Sequence, residues 1–298
     1  MPGALEAVDA DGVDPRPPER RNATSAELMA DLNEALPLPS DESIRAAVLT
    51  GNGPSFSAGG DLKAARLPIE PGSRRMREVF NPVVARLAAL PLPAVAAVNG
   101  PALGAGLSLA LAADLRVAST RAMFSAGFVN VGLAPDTGAS FFLPRLVGHG
   151  RAFQILATGR KVGAEEALAI GLVNRVVEHE ALMTEAVELA ELLSAKPGIA
   201  VQAVKELLEA AGHNSLAGQF EAEARMYDRA STHPGRIAAR KAMVAKLTSG
   251  RPGPQAAEAP PGSGMTPPAV IPEPAPARRP TRGHPRRPFC MPDPVRSS

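Results

Sequence analysis

An α/β fold with an appended helical region is what this sequence predicts, and three observations carry the prediction. Short apolar runs alternate with helical patterns from residue 24 onward, the strand patterns stop beyond Ala181, and 45% of the 298 residues are hydrophobic although only 3% are aromatic. A chain of this length and apolar content can bury a core. With no Trp and one tyrosine, Tyr227, that core rests on Ala, Val and Leu, which suits helices lying against buried strands.

The elements follow in order. Residues 1–23 are rich in Pro, Asp and Arg and show neither strand alternation nor a helical stripe, which predicts an atypical, poorly ordered segment. Residues 25–36 read as a helix with Leu28, Leu32 and Leu36 along one face. Residues 46–49 read as a short buried strand running into the turn Thr50-Gly-Asn-Gly, followed by a loop over 55–63. Residues 74–90 form a helical pattern that Pro82 should kink. The apolar run 94–98 is a strand ending at Asn99-Gly100-Pro101, the small-residue run 104–113 is helical, and 115–118 returns as a strand. Helical patterns at 181–193, 199–211, 215–230 and 235–247 then predict a separate subdomain. From Arg251 onward 14 of 48 residues are proline; such a tail cannot bury enough surface to offset its chain entropy, and disorder is expected. The organisation predicted is a core over 24–195, a helical oligomerisation region over 196–250 and a tail over 251–298.

Charge separates along the same line. Residues 251–298 hold seven arginines (251, 278, 279, 282, 286, 287, 296) against Glu258, Glu273 and Asp293, a net +4, so the other 250 residues carry about −2 of the total of +2. A nearly neutral body with a basic tail does not look like a nucleic-acid-binding domain. The single cysteine, Cys290, gives neither a disulfide framework nor a Cys-based metal site. No apolar signal core is present and no stretch approaches the roughly 20 apolar residues of a membrane span, so a cytoplasmic protein without membrane contact is expected.

Two segments carry chemistry. One is Ser55-Phe-Ser-Ala-Gly-Gly-Asp-Leu-Lys63; the other is Asn99-Gly-Pro-Ala-Leu-Gly-Ala-Gly-Leu-Ser108, which opens a helix. Each offers Gly and Ala where a backbone N–H can approach a ligand without an obstructing Cβ. In the second, the amides also sit at a helix N-terminus, where the dipole favours negative charge. Two such amides converging on one oxygen form an oxyanion hole, each donor contributing about 2.7–4 kcal/mol of transition-state stabilisation. Either segment alone reads better as a Gly-rich turn or a closely packed helix; their joint occurrence after buried strands shifts the balance toward the hole.

Phe56-Ser-Ala-Gly-Gly-Asp-Leu-Lys63 and Gly100-Pro-Ala-Leu-Gly-Ala-Gly106 resemble the two oxyanion-hole motifs of the enoyl-CoA hydratase/isomerase (crotonase) superfamily. Arg21-Asn-Ala23, Ala113-Asp-Leu-Arg116, Leu143-Pro-Arg-Leu-Val-Gly148 and the stretch 165–177 with its Gly-Leu-Val core are further matches, and the resemblance spans about residues 18–230. It implies a core of ββα turns wound as a spiral, and a C-terminal helical region that packs into homotrimers or hexamers. It also implies an acyl-CoA thioester as substrate and no separate cofactor, since coenzyme A is part of the substrate. Matched residue by residue, Gly60 and Ala105 are the oxyanion donors. Ala58, Gly104 and Ser108 fall among the substrate-binding positions, Lys63 and Arg21 are candidates for the CoA phosphates, and Gly127 and Phe128 line the acyl pocket or pack beneath it.

The resemblance also bears on the reaction. The two glutamates with which family hydratases add water align with Ser108 and Phe128, and neither can act as a carboxylate base. A carboxylate stands instead at Asp136, in Gly132-Leu-Ala-Pro-Asp-Thr-Gly-Ala-Ser140, the position where enoyl-CoA isomerases, including the ring-opening isomerase of phenylacetate breakdown, place their acid/base. One carboxylate beside an oxyanion hole can move a double bond by taking a proton from one carbon and returning it to another. Asp after Pro and before a helical run is equally a typical N-cap, accepting the amides of residues 137–139, and capping lowers its pKa. A hydrolytic dehalogenase of the superfamily places a nucleophilic Asp here too, but relies on a histidine base and a tryptophan; this chain has no Trp, and its first histidine is His149. His149, His179, His213 and His233 share no metal-ligand spacing, so no metal is expected. Two other classes stay open: a catalytically silent acyl-CoA-binding subunit, and an interaction protein working through the basic tail. The sequence departs from the family at both ends: its Pro/Arg-rich tail is unlike the usual helical ending, and family members usually open with a strand or hairpin before Arg-Asn-Ala. Residues 1–20 hold Asp9, Asp11, Asp14, Pro15, Pro17 and Pro18, no such strand is read, and an unpaired sheet edge is the expectation.

Overall fold

The computed structural model describes residues 6–8 (backbone), 21–36, 44–60 and 72–248. Most of the segment over 1–23, Lys63, most of the loop over 67–73 and the tail over 251–298 lie outside the described residues, so the expectations placed on them do too. The chain divides into Met1–Gly250 and Arg251–Ser298, and the described residues belong to the first.

In chain order the strands are β1 (Glu6–Val8), β2 (Ala23–Thr24), β3 (Ala47–Thr50), β4 (Gly59–Gly60), β5 (Ala94–Val98), β6 (Pro101–Leu103), β7 (Leu115–Ser119), β8 (Met123–Ser125), β9 (Lys161–Gly163) and β10 (Arg175–Val177). The helices are α1 (Ala26–Ala35), α2 (Ser73–Arg75), α3 (Asn81–Ala88), α4 (Ala105–Ala112), α5 (Ala139–Val147), α6 (His149–Thr158), α7 (Ala164–Ala169), α8 (Leu182–Ser194), α9 (Gly198–Ala211), α10 (Leu216–Ser231) and α11 (Pro234–Thr248). Strands β1, β3, β5, β7 and β10 form, in that order, an all-parallel sheet. A parallel pair, β2 and β4, and a second small sheet of β6, β8 and β9 stand apart from it.

The apolar runs form strands because both sheet faces are covered. Along β5, Ala94, Ala96 and Val98 join the core containing Leu32 of α1, Val84 of α3 and Leu107 of α4. Val95 and Ala97 point the other way, into a second core with Leu182, Ala186 and Leu189 of α8. A strand buried on both faces needs no polar alternation, which is why β5 reads as an unbroken apolar string.

Two expectations change. The edge is not bare: Glu6–Val8 pairs in parallel with Ala47–Leu49, although the prolines and aspartates around it hide a three-residue strand from any pattern search. The expected kink at Pro82 takes a defined form, a π-helical turn over Met76–Phe80 between α2 and α3. Pro82 lacks an N–H, and the ladder ahead of it widens so that Asn81 N donates to Met76 O. Elsewhere α1 begins where expected, with Ser25 Oγ accepting from Leu28 N at 3.1 Å. Beyond α8, Lys205 Nζ of α9 reaches the sheet end, donating to Leu92 O at 3.0 Å and pairing with Asp114 at 2.8 Å. Among the described residues no helix is long and apolar enough to cross a membrane.

Candidate active site

The site is built where two glycine-containing loops meet. Arg21 and Asn22 adopt left-handed backbone conformations, φ 48° and 54°, a turn that aims the Asn22 amide back across the first loop. Its Nδ2 donates to the carbonyls of Asn52 at 2.9 Å and Ser55 at 2.8 Å. Ala58 N donates to Arg21 O at 2.9 Å, and Ser57 Oγ donates to Asn22 O at 2.7 Å. Ser57 joins the second loop as well: its N–H donates to Pro101 O at 3.0 Å and its carbonyl accepts from Leu103 N at 2.9 Å.

Glycine is required at this junction. A Cβ on Gly59, at φ +77°, would stand 2.5 Å from Leu103 O, and one on Gly106 would stand 2.5 Å from Ser57 Cβ. Real Cβ atoms do not tolerate such distances, so β4 and α4 lie together only because these residues lack one. Gly60 is exposed, and the space its Cβ would fill is open. Ala105 is the first residue of α4, so its N–H has no intrahelical carbonyl to meet, and Gly104 before it supplies no capping side chain. Two amides predicted as oxyanion donors thus lie on elements that touch, one on each side of the junction.

Asp136 comes to the same helix. Ser108 Oγ, one turn beyond Ala105, donates to the backbone carbonyl of Asp136 at 3.3 Å. The capping alternative does not hold: the N-cap of α5 is Gly138, in left-handed conformation, and the helix has no side-chain cap bond. Among the described residues the Asp136 carboxylate accepts the Thr137 hydroxyl, at 3.1 Å. The carboxyl is half-buried, and burial raises its pKa above the ordinary value of 3.8, with the Thr137 bond opposing. Thr137 is itself buried at φ +49°, unusual for a β-branched residue and the kind of outlier found at functional sites.

The other predicted residues fall in different places. Phe128 is buried, with its ring 3.7 Å from the position a Cβ on Gly104 would take, so Phe128, Gly104, Ser108 and Asp136 gather around the start of α4. Ala58 holds the loop through its amide. Arg21 contributes its carbonyl there while its side chain is exposed, and Lys63 lies outside the described residues. No group of three metal-ligating side chains occurs among the described residues. Thr137 and Asn22 were not singled out from sequence, although Asp-Thr-Gly and Arg-Asn-Ala carried them in plain view; what was missing was the positive φ that gives each its role.

Comparison with known proteins agrees with this architecture. The family described as Enoyl-CoA hydratase/isomerase matches residues 14–247. A Mycobacterium tuberculosis (strain ATCC 25618 / H37Rv) protein named "Probable enoyl-CoA hydratase EchA12" is 46% identical over 193 residues, 61% of this chain and 68% of the relative. The 4-chlorobenzoyl coenzyme A dehalogenase-2 of an Arthrobacter species is 39% identical over 224 residues, 73% of this chain and 80% of the relative. The 1,2-epoxyphenylacetyl-CoA isomerase of Escherichia coli (strain K12) is 38% identical over 211 residues, 69% and 80% respectively. Among solved structures, the enoyl-CoA hydratase of Bacillus anthracis superposes with a TM-score of 0.73 at 32% identity, covering 76% of this chain and 89% of that one.

Proposed function

The chain belongs to the enoyl-CoA hydratase/isomerase family, and on that footing we propose that it is an isomerase moving a double bond in an enoyl-CoA, with Asp136 as the proton carrier. The observation that carries the reading is the placement of Asp136. Its carboxylate is half-buried, its pKa is raised, and its own carbonyl is tied to Ser108 on the helix that begins with Ala105. In a 3-enoyl thioester, the Asp136 carboxylate removes a proton from C2. The electron pair moves toward the thioester oxygen, whose charge the N–H groups of Gly60 and Ala105 bind. The protonated Asp136 then returns the proton to C4, the enolate collapses, and the double bond lies between C2 and C3. A carboxylate whose pKa burial raises is a stronger base than an exposed one, which suits it to taking the proton before returning it.

Hydration is disfavoured by Ser108 and Phe128, which offer no second carboxylate: Ser108 bonds backbone carbonyls and Phe128 is core. Dehalogenation of the kind named for the Arthrobacter relative would set Asp136 to attack carbon, and this chain has no tryptophan for such a site. Coenzyme A enters as part of the substrate, and assembly as a homotrimer or hexamer through α9–α11 belongs to the same proposal. The test is turnover of 3-enoyl-CoA thioesters to the conjugated 2-enoyl product by the parent and by Asp136→Asn. The variant should lose about 10²–10⁴-fold in rate while retaining CoA affinity. Turnover that survives in Asp136→Asn would remove Asp136 from the chemistry, and hydration of 2-enoyl-CoA without isomerisation would overturn the reading.

A further inference from the structure

Helix α4 is buried at all eight positions, and its side chains are apolar or small all round except for Ser108. Its dispersion contacts are individually weak, so hydrogen bonds at its ends add directional restraint to its packing. Such bonds help set its height along its axis, and height matters because its first amide is Ala105. A 1 Å misplacement at a reacting centre can lower a rate by about 10²-fold.

At the C-terminal end stands Arg116, on β7, only 3% exposed. Its Nη1 donates to Ala113 O, the C-cap of α4, at 2.7 Å and lies 3.5 Å from Leu111 O in the last turn. Its Nε donates to Leu172 O at 2.8 Å. The backbone behind the side chain is clamped as well, with Arg116 N donating to Asn174 Oδ1 at 2.8 Å and Asn174 N to Arg116 O at 2.9 Å. Among the described residues no carboxylate forms an ion pair with Arg116: Asp114 is engaged by Ala94 N at 2.7 Å and Lys205 Nζ at 2.8 Å. A buried cation without an ion-pair partner is costly unless hydrogen bonds replace its water, and here the carbonyls at a helix C-terminus, the negative pole of the dipole, do so. Burial lowers its pKa to about 10, with the nearby Asp114 charge opposing, so the cation persists at neutral pH.

We propose that Arg116 is a positioning residue for the oxyanion hole: its guanidinium ties the C-terminal carbonyls of α4 to the carbonyl of Leu172 and so fixes the height of the helix that begins at Ala105. The proposal rests on Gly60 and Ala105 being the oxyanion donors. It asks of the arginine what only a planar fork supplies, two carbonyl-bound nitrogens at a fixed angle.

The test uses the full chain and a 4-aminocinnamoyl-CoA thioester, whose absorption moves to longer wavelength when its carbonyl is polarised by hydrogen-bond donors. The parent should bind the probe and shift its absorption. Arg116→Met, measured well below its own melting temperature and at saturating probe, should bind with a smaller shift, and turnover should fall about 10–100-fold. Arg116→Lys, which keeps the charge but has one nitrogen, should fall between, and it decides the matter if the methionine variant does not fold. A parental shift in a folded Arg116→Met, or in Arg116→Lys where only that variant folds, would overturn the proposal while leaving the hole intact. Absence of a shift in the parent would instead remove the hole reading, and this proposal with it.

Discussion

Burial holds Asp136 above the ordinary carboxylate range, and the Thr137 hydroxyl offsets only part of this. The sign of the consequence is opposite to that of a salt-bridged carboxylate. A carboxyl whose folded pKa is raised costs nothing while it is protonated in both states; the cost to stability appears as pH rises past the unfolded value and is complete above the folded one. Asp136→Asn is neutral throughout, so it should melt higher than the parent at neutral pH and lose that advantage in acid, as thermal scans across pH would show. A helix cap would behave differently, since loss of its negative charge at a helix N-terminus weakens it. In the parent, kcat/KM should rise with pH through the Asp136 pKa to a plateau, because the free enzyme must hold the base ionised. Thr137→Val removes the bond that lowers this pKa, and its profile should lie at higher pH than the parent's; an unmoved profile would dissociate Asp136 from the titration.

Among the elements, the junction of β4 and α4 depends on missing side chains. Gly59→Ala places a Cβ against Leu103 O in a left-handed backbone, and Gly106→Ala places one against Ser57. Each should lower unfolding free energy by about 1–3 kcal/mol in denaturant titrations and reduce turnover. Gly60→Ala is the control, since nothing lies within 4 Å of its new Cβ, and its unfolding midpoint should match the parent's. Helix and strand types were legible where one pattern ran long enough: β5 has the limits 94–98 that its apolar run announces, and α1 starts at its Ser25 cap. The short strands β1, β2, β4, β6, β8, β9 and β10 were not, because two or three residues carry no period. They exist through partners distant in sequence, as when Ala23 and Thr24 pair with Gly59 and Gly60.

At the scale of the whole molecule, α9–α11 leave apolar side chains uncovered in the single chain. Leu208 is 72% exposed, Leu216 70%, Phe220 58% and Tyr227 67%, large apolar side chains of the kind an interface buries. The proposed trimer covers such surface, and sedimentation should find an oligomer that Leu208→Glu together with Phe220→Glu dissociates; a monomeric parent would leave the surface without this explanation. The attachment of α9 to the sheet is separable from assembly. Lys205→Met leaves Leu92 O and Asp114 without their cation at a mostly buried junction, and should cost about 1–3 kcal/mol in unfolding free energy.

The sequence by itself determined the fold class and the helical ending, and the resemblance of its motifs made Gly60, Ala105 and Asp136 candidates. The first two are written in local composition, as apolar runs of strand length and helical stripes; the candidates rest on what the family resemblance implies. Only the tertiary structure decided whether Asp136 caps a helix. That turned on Gly138 taking the cap in a left-handed conformation and on Ser108, 28 residues away, claiming the Asp136 carbonyl. It also brought out the part proposed for Arg116, which the sequence marks only as the end of the Ala113-Asp-Leu-Arg116 match in a strand. Its role arises from burial among carbonyls of α4 and of Leu172, 56 residues further on. Desolvation and long-range hydrogen bonding depend on which distant segments close over a residue, and no local pattern encodes that.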